Sequence, residues 1–289
     1  MIQDKSVASK IFYTFTYAFF ICVLFVCVFP FFYMFSLSTS STSAILNNRV
    51  TFLPVGFNIN AYIRLMEYPG FFNAYRNTLL YTTVGSFIAL SLSLLFAYPL
   101  SKKFLMGRSV ILKLVIFSMF FNGGLIPNYL LIRTLGLANT VFAILVPFAI
   151  NQFNLIILIN FLRSIPEEIE EAAIIDGMGY FGILTRIVIP LTMPAIATIG
   201  LYTAVFFWND WFNALLYLNT EQQPVMRILR NFVVAGSVAT EASGYGEKNV
   251  AEMASKSAVI LVSVIPIIIL YPFLQRFFVK GLTVGSLKG

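Results

Sequence analysis

The chain has 289 residues, 59% hydrophobic, 16% aromatic and 11% charged, with a mean hydropathy of +0.86. So few charges cannot cover a soluble surface of this size, and lipid must be the solvent for much of the chain. The net charge of +7 is spread through short loops and forms no patch, which excludes nucleic acid as a partner, and the absence of histidine removes the commonest general base and metal ligand.

Uncharged runs occupy 11–48, 77–101, 114–132, 134–162, 187–209 and 257–275. A helix needs roughly 20 apolar residues to cross about 30 Å of hydrocarbon, and the runs lack the alternation of a transmembrane strand. The sequence therefore predicts an all-α membrane protein with six transmembrane helices. The first apolar stretch, Ile11 to Phe35, is 25 residues long, well beyond the roughly 7–15 of a signal peptide, so it is read as a span, kinked at Pro30. Cys22 and Cys27 lie five apart within it, on different faces, as packing residues. Asn122, Gly123 and Gly124 interrupt the third run, either lining a pathway or kinking the backbone.

With six spans both termini share a side, and that side carries 11 of the 19 Lys and Arg: Lys5, Lys10, Lys102, Lys103, Arg108, Lys113, Arg163, Arg186, Arg276, Lys280 and Lys288. By the positive-inside rule it is cytoplasmic. Residues 1–10 then form a cytoplasmic N-terminus and 11–289 a single six-helix domain. None of the six runs contains an ionisable carboxylate or cation of the kind that ion coupling leaves within a membrane. Nor is there a G-x-x-x-x-G-K-[ST] loop, so energy for uphill transport must come from another chain.

The segment 163–190, between the fourth and fifth spans, differs from its surroundings. Five of the 12 carboxylates, Glu167, Glu168, Glu170, Glu171 and Asp176, fall within ten residues. "PEEIEEAAII" favours a helix starting at Pro166, with acids in its first turn where the helix dipole favours them. Asp176 and Gly177 stop it, and "MGYFGILTRIVIP" offers a second short helix running into the fifth span at Pro190. By composition alone the segment serves equally as a solvated connector or as a docking surface showing carboxylates with Met178 and Phe181.

The spacing of Glu171, Ala172 and Ala173, then Gly177, then Ile187, Ile189 and Pro190, resembles the EAA signature of permease subunits in binding-protein-dependent ABC importers, with isoleucine at 189 where that family usually has leucine. "FLRSIPEEIEEAAIIDG" and "FFWNDWFNALLYL" are similar to the MalG-type carbohydrate permeases, and "FFNGGLIPNYLLIRTLGL" and "FFVKGLTVGSLKG" to their LplC/YtcP-type branch. The resemblance implies a type I importer permease in a bacterial cytoplasmic membrane. It would be paired with a second homologous permease, two ATP-binding-cassette ATPases and an extracytoplasmic substrate-binding protein. It implies that this chain binds no cofactor or metal and is not itself an enzyme, ATP and Mg being used by the ATPases. On this reading Glu171 meets a basic group on the ATPase and Gly177 lets the backbone turn closely against it, within an ATPase-coupling set that also includes Ala172, Ala173, Asp176 and Pro190. Met178 and Phe181 fill a cleft of the ATPase.

The outer segment 210–256 would face the binding protein. Trp208, Asn209, Asp210 and Trp211 combine aromatic faces with hydrogen-bonding groups suited to pyranose rings, although tryptophan at the outer end of a span also serves as an interfacial anchor. Competing functions are a permease for an amino acid or polyamine and an ion-coupled carrier.

Overall fold

The computed structural model describes residues 6–232, 234 and 247–286. Lys5 and the rest of 1–5, most of 233–246 in the expected outer segment, and the last three residues of the tail lie outside the described residues. The sequence treats 11–289 as one domain; by its contacts the chain divides into two compact units, Met1–Pro69 with Leu229–Val264, and Gly70–Ile228 with Ile265–Gly289. Among the described residues the regular structure is helical and no strand occurs.

In the first unit, α1 (Val7–Ser38) begins where the Ser6 hydroxyl accepts from the Ser9 amide at 3.2 Å. At 32 residues it is about 48 Å long, and none of its most apolar window is buried within the chain. Pro30 stands inside this helix. Its last turn is different. Ser36, Leu37 and Ser38 are buried, with Ser36 Oγ donating to the Phe52 carbonyl at 2.6 Å and Ser38 Oγ 2.9 Å from the Tyr62 hydroxyl. These bonds satisfy hydroxyls that would otherwise be costly to bury. Around this end, Leu37 of α1, Ala44 and Ile45 of α2 (Thr42–Leu46) and Ala61 of α3 (Asn60–Glu67) cluster with Val250, Ala254 and Ala258 of the C-terminal helix, Glu247–Ser286.

The second unit is organised on α4 (Phe71–Ser101), which follows Gly70 at φ +83°. Next come α5 (Arg108–Phe120), α6 (Leu125–Thr134), α7 (Phe142–Leu145), α8 (Gln152–Arg163), α9 (Glu167–Ile175) and α10 (Tyr180–Ile183). A π turn (Leu184–Val188) leads to α11 (Ile189–Leu191), α12 (Met193–Asn209) and α13 (Phe212–Tyr217). α4 packs on α8 and α12, and Leu94, Ala97, Leu158, Leu162, Val188 and Ile199 form the main apolar core. A second core joins Tyr81, Ile144, Phe207 and Tyr217. α4 and α12 approach closely at Gly85, where a Cβ would lie 2.7 Å from the Phe207 ring.

Of the expected spans, α1, α4 and 250–272 of the C-terminal helix are single helices long and apolar enough to cross a membrane. Two bent pairs bring the number to five: α5 with α6, at 117°, and Tyr180–Leu191 with α12, at 82°. The run 114–132 breaks where Gly124 takes φ +87°, and 187–209 breaks at Thr192, just before Pro194, which has no amide to continue the helical ladder. The run 134–162 is not one helix either. Gly136 and Asn139 take positive φ (+69° and +59°), and only α8, 12 residues or about 18 Å, is a substantial helix there. Apolar length was visible in the composition, as was the interruption at Asn122–Gly124, but the breaks at Thr192 and within 134–162 were not.

Candidate coupling surface

The segment 163–190 folds as an elbow. α9 starts after Pro166, with Glu167, Glu168 and Glu170 in its first turn. It ends in a paired closure: the Gly177 amide donates to the Ile174 carbonyl and the Met178 amide to the Ala173 carbonyl, both at 2.9 Å. Such a closure needs a left-handed residue between, and Gly177 supplies it at φ +82°. A Cβ on Gly177 would meet nothing within 4 Å, so the demand for glycine comes from the backbone angle alone.

The faces of α9 have different surroundings. Glu170 and Ala173, three residues apart, are buried. One Glu170 oxygen pairs with the Lys102 ammonium and the other accepts from the Tyr98 hydroxyl at 3.2 Å. Because Lys102 caps the C-terminus of α4, this network ties the elbow to the central helix. Beside it, Lys103 and Glu167 form an exposed pair at 2.8 Å. Hydrogen bonding and charge from Lys103 hold the Glu167 carboxyl below its ordinary range.

Glu168, Glu171, Ala172 and Asp176 are exposed, with Ile175 at 85% and, in α10, Phe181 at 72% exposure; Glu171 borders the same groove as Glu170, Lys102 and Lys103. This combination gives direction through charge and area through exposed apolar groups. Pro190 is also exposed, within α11. Met178 differs from expectation. The closure at Gly177 turns it back toward Ala173, and it packs, half-buried, against the main core. Ile175, which the sequence reading passed over, takes its place outside. Its spacing from Glu168 and Glu171, at i+7 and i+4, was the available signal.

No family model matches the chain. It is 40% identical over 265 residues to the protein LplC of Bacillus subtilis, covering 91% of this chain and 90% of that one. It is 37% identical to the polygalacturonan/rhamnogalacturonan transport system permease protein YtcP of the same organism, over 97% and 99% of the two chains. Its fold matches, at TM-score 0.84 and 35% identity, a chain from the crystal structure of a bacterial ABC transporter involved in import of the acidic polysaccharide alginate, covering 95% and 99%. The chain belongs to the ABC transporter permeases. It is a transport subunit of the membrane, not an enzyme.

The permease places the other expected residues less uniformly. Trp208 is 3% exposed, its ring edge-on to Tyr75 with centroids 5.9 Å apart, so it packs inside the unit and presents no face to a sugar. Asn209 is exposed, and Trp211 is half-buried. Asp210 is partly buried, its Oδ1 accepting from the Asn213 backbone at 3.1 Å and side chain at 3.0 Å, which fixes the turn into α13. Asn122 both shapes a break and borders a cavity: its Oδ1 accepts from the Gly124 amide at 3.0 Å and the Asn128 amide at 3.2 Å. The residues missed by sequence reasoning are Lys102, Glu170 and Tyr98. Their only local signal was the i+3 spacing of Glu170 to the small Ala173.

Proposed function

We propose that this permease forms, with a second related permease, the pathway for a carbohydrate, an oligosaccharide delivered by an extracytoplasmic substrate-binding protein. Two separate ATPases hydrolyse ATP with Mg and drive the cycle. The observation that carries the coupling role is the elbow: Glu171, Ile175 and Phe181 stand exposed on it while the buried Glu170 holds it to α4. A basic group on the ATPase opposite Glu171, and a cleft for the two apolar side chains, would complete such a surface. The carbohydrate class is supported by the polysaccharides named for YtcP and for the alginate transporter.

On this reading the elbow and both termini lie on the cytoplasmic side of a bacterial cytoplasmic membrane, and the chain makes six crossings, 134–162 crossing as α8 with the irregular stretch before it. Asn209, Asp210 and Trp211 lie at the outer end of the fifth crossing, as pathway residues or as an interfacial anchor. Purification of the tagged chain from its source, with identification of the proteins that accompany it, tests the assembly. A second permease, an ATPase and a saccharide-loaded receptor are expected. Recovery with an amino-acid or polyamine receptor would change the substrate class, and uptake that survives loss of the ATPase would favour an ion-coupled carrier.

A further inference from the structure

In the first unit, the stretch "VTFLPVGFNI" at 50–59, just before α3, carries no charge, yet it turns large apolar side chains outward. Leu53 is 75% and Phe57 68% exposed, and Phe52, Val55 and Ile59 are exposed beside them. A contiguous apolar surface of this kind marks a place where something other than water is met. The backbone from 49 to 59 forms neither helix nor strand.

Polar groups of this loop are met by the end of α1 and the residues just after it. The Phe52 carbonyl accepts from Ser36 Oγ, the Val55 amide donates to Ser40 Oγ at 3.0 Å, and the Val55 carbonyl accepts from the Ser41 amide at 3.0 Å. The Asn58 amide donates to the Thr39 carbonyl at 2.9 Å, and its carboxamide to the Ser40 carbonyl at 3.1 Å. Pro54 has no amide to satisfy. Gly56, at φ +67°, lets the loop lie this close, since a Cβ there would stand 2.6 Å from Ser41 Oγ. Irregular backbone can border lipid only where protein meets its polar groups, and these bonds do so while leaving the apolar side chains outside.

The depth of the loop follows from α1. Its apolar stretch Ile11–Phe35 has 25 residues, of which a hydrocarbon layer takes about 20, so Phe25 and Phe29 lie inside the layer whichever consecutive set is chosen. The Phe52 ring stands edge-on to Phe29 with centroids 5.1 Å apart, and 6.0 Å from the Phe25 centroid. Phe52 therefore reaches acyl-chain depth, beside a helix whose most apolar window is not buried within the chain. We propose that 52–59 is a bilayer-inserted wedge. Phe52, Leu53 and Phe57 bury among the acyl chains of the leaflet at the C-terminal end of α1 and give α2 and α3 a second membrane anchor. Having no charge, the wedge recognises the apolar layer and not a headgroup, so zwitterionic lipid suffices. The solute carried plays no part in it.

The test uses the importer with its partner permease and ATPases in phosphatidylcholine vesicles. Unsubstituted protein is irradiated with a phosphatidylcholine that carries a diazirine in mid-chain, and the adducts are located by peptide mass spectrometry. Adducts on both 52–59 and α1 are expected. Adducts on α1 with none on 52–59 would overturn the wedge; absence from both would show that protein covers this side of α1, and would overturn it equally. Depth is read from Leu53→Cys and Phe57→Cys, each spin-labelled in a Cys22→Ser/Cys27→Ser background with cysteine-free partners, and Glu67→Cys on α3 serves as the reference in water. The ratio of collisions with oxygen, which concentrates in lipid, to collisions with a water-soluble nickel chelate should be severalfold higher at 53 and 57 than at 67. A nickel-dominated response at either position would place the loop in water, and suppression of both reagents would place it against protein. Either result overturns the wedge.

Discussion

Two lysine–glutamate pairs join the end of α4 to α9, one lysine apart. In Lys102–Glu170 the side chains are 15% and 10% exposed, and the Tyr98 hydroxyl completes the network; in Lys103–Glu167 they are 79% and 66% exposed. Charge and connection are the same, but the surroundings differ. An exposed pair exchanges contact with water for contact with a partner and gains little, whereas a buried pair has already lost its water, and removing one member strands the other. The outward side of α9, with Glu168, Glu171 and Ile175, lacks an ion-pair partner among the described residues. Neighbouring carboxylates on one short helix thus have three situations: buried and anchoring, exposed and paired, exposed and unpaired.

The contrast is open to experiment. Glu170→Ala should have the largest effect on the fold, about 3–5 kcal/mol, because it leaves the Lys102 ammonium buried without its counter-charge. A lowered thermal midpoint of the purified transporter, largely restored by Lys102→Met in the same chain, would support this. A midpoint equal to that of wild type would mean that the buried pair is no anchor. Glu171→Lys should leave the midpoint unchanged yet weaken retention of the ATPase, since a like-charge contact at an interface costs several kcal/mol. Co-purification of the ATPase measures it, and normal retention would remove Glu171 from the docking surface.

Gly177→Val should reduce transport by distorting the elbow, with a strain of about 1–3 kcal/mol for a β-branched residue at positive φ. Gly177→Asn should keep more uptake because asparagine tolerates that region. Equal uptake by the two variants would show that the angle does not matter. The smallest effect belongs to Glu167→Gln. The native carboxyl titrates below its ordinary value, so its contribution is present above the unfolded carboxylate pKa and disappears as pH falls through the folded one. Melting curves of wild type and variant should differ little near neutrality and converge at acid pH.

Much of the elbow was legible in advance. Asp176 and Gly177 do end α9, because a left-handed closing residue is a local backbone requirement that glycine meets best. The exposure of Glu171 also followed from a polar, acidic helix that has only one face to bury, and Phe181, in α10, is exposed as expected. Met178 was misjudged because the same closure that needs Gly177 turns the next side chain inward. Trp208 was misjudged because its amphipathic ring fits an interface, a pathway or a core equally well, and Tyr75, on another helix, decides among them.

The sequence by itself determined the solvent, the helical class, the approximate reach of the apolar segments and the place of the elbow. Each depends on composition or on spacing within a few turns, where hydrophobic transfer and backbone geometry act locally. Tertiary structure decided which glutamate is buried, where the apolar runs bend and which apolar loop is held against α1. Lys102 and Glu170 are 68 positions apart, and Phe25 and Phe52 meet from a helix and a loop. The burial of a charge or the depth of an apolar loop is set by neighbours that only the folded chain brings together.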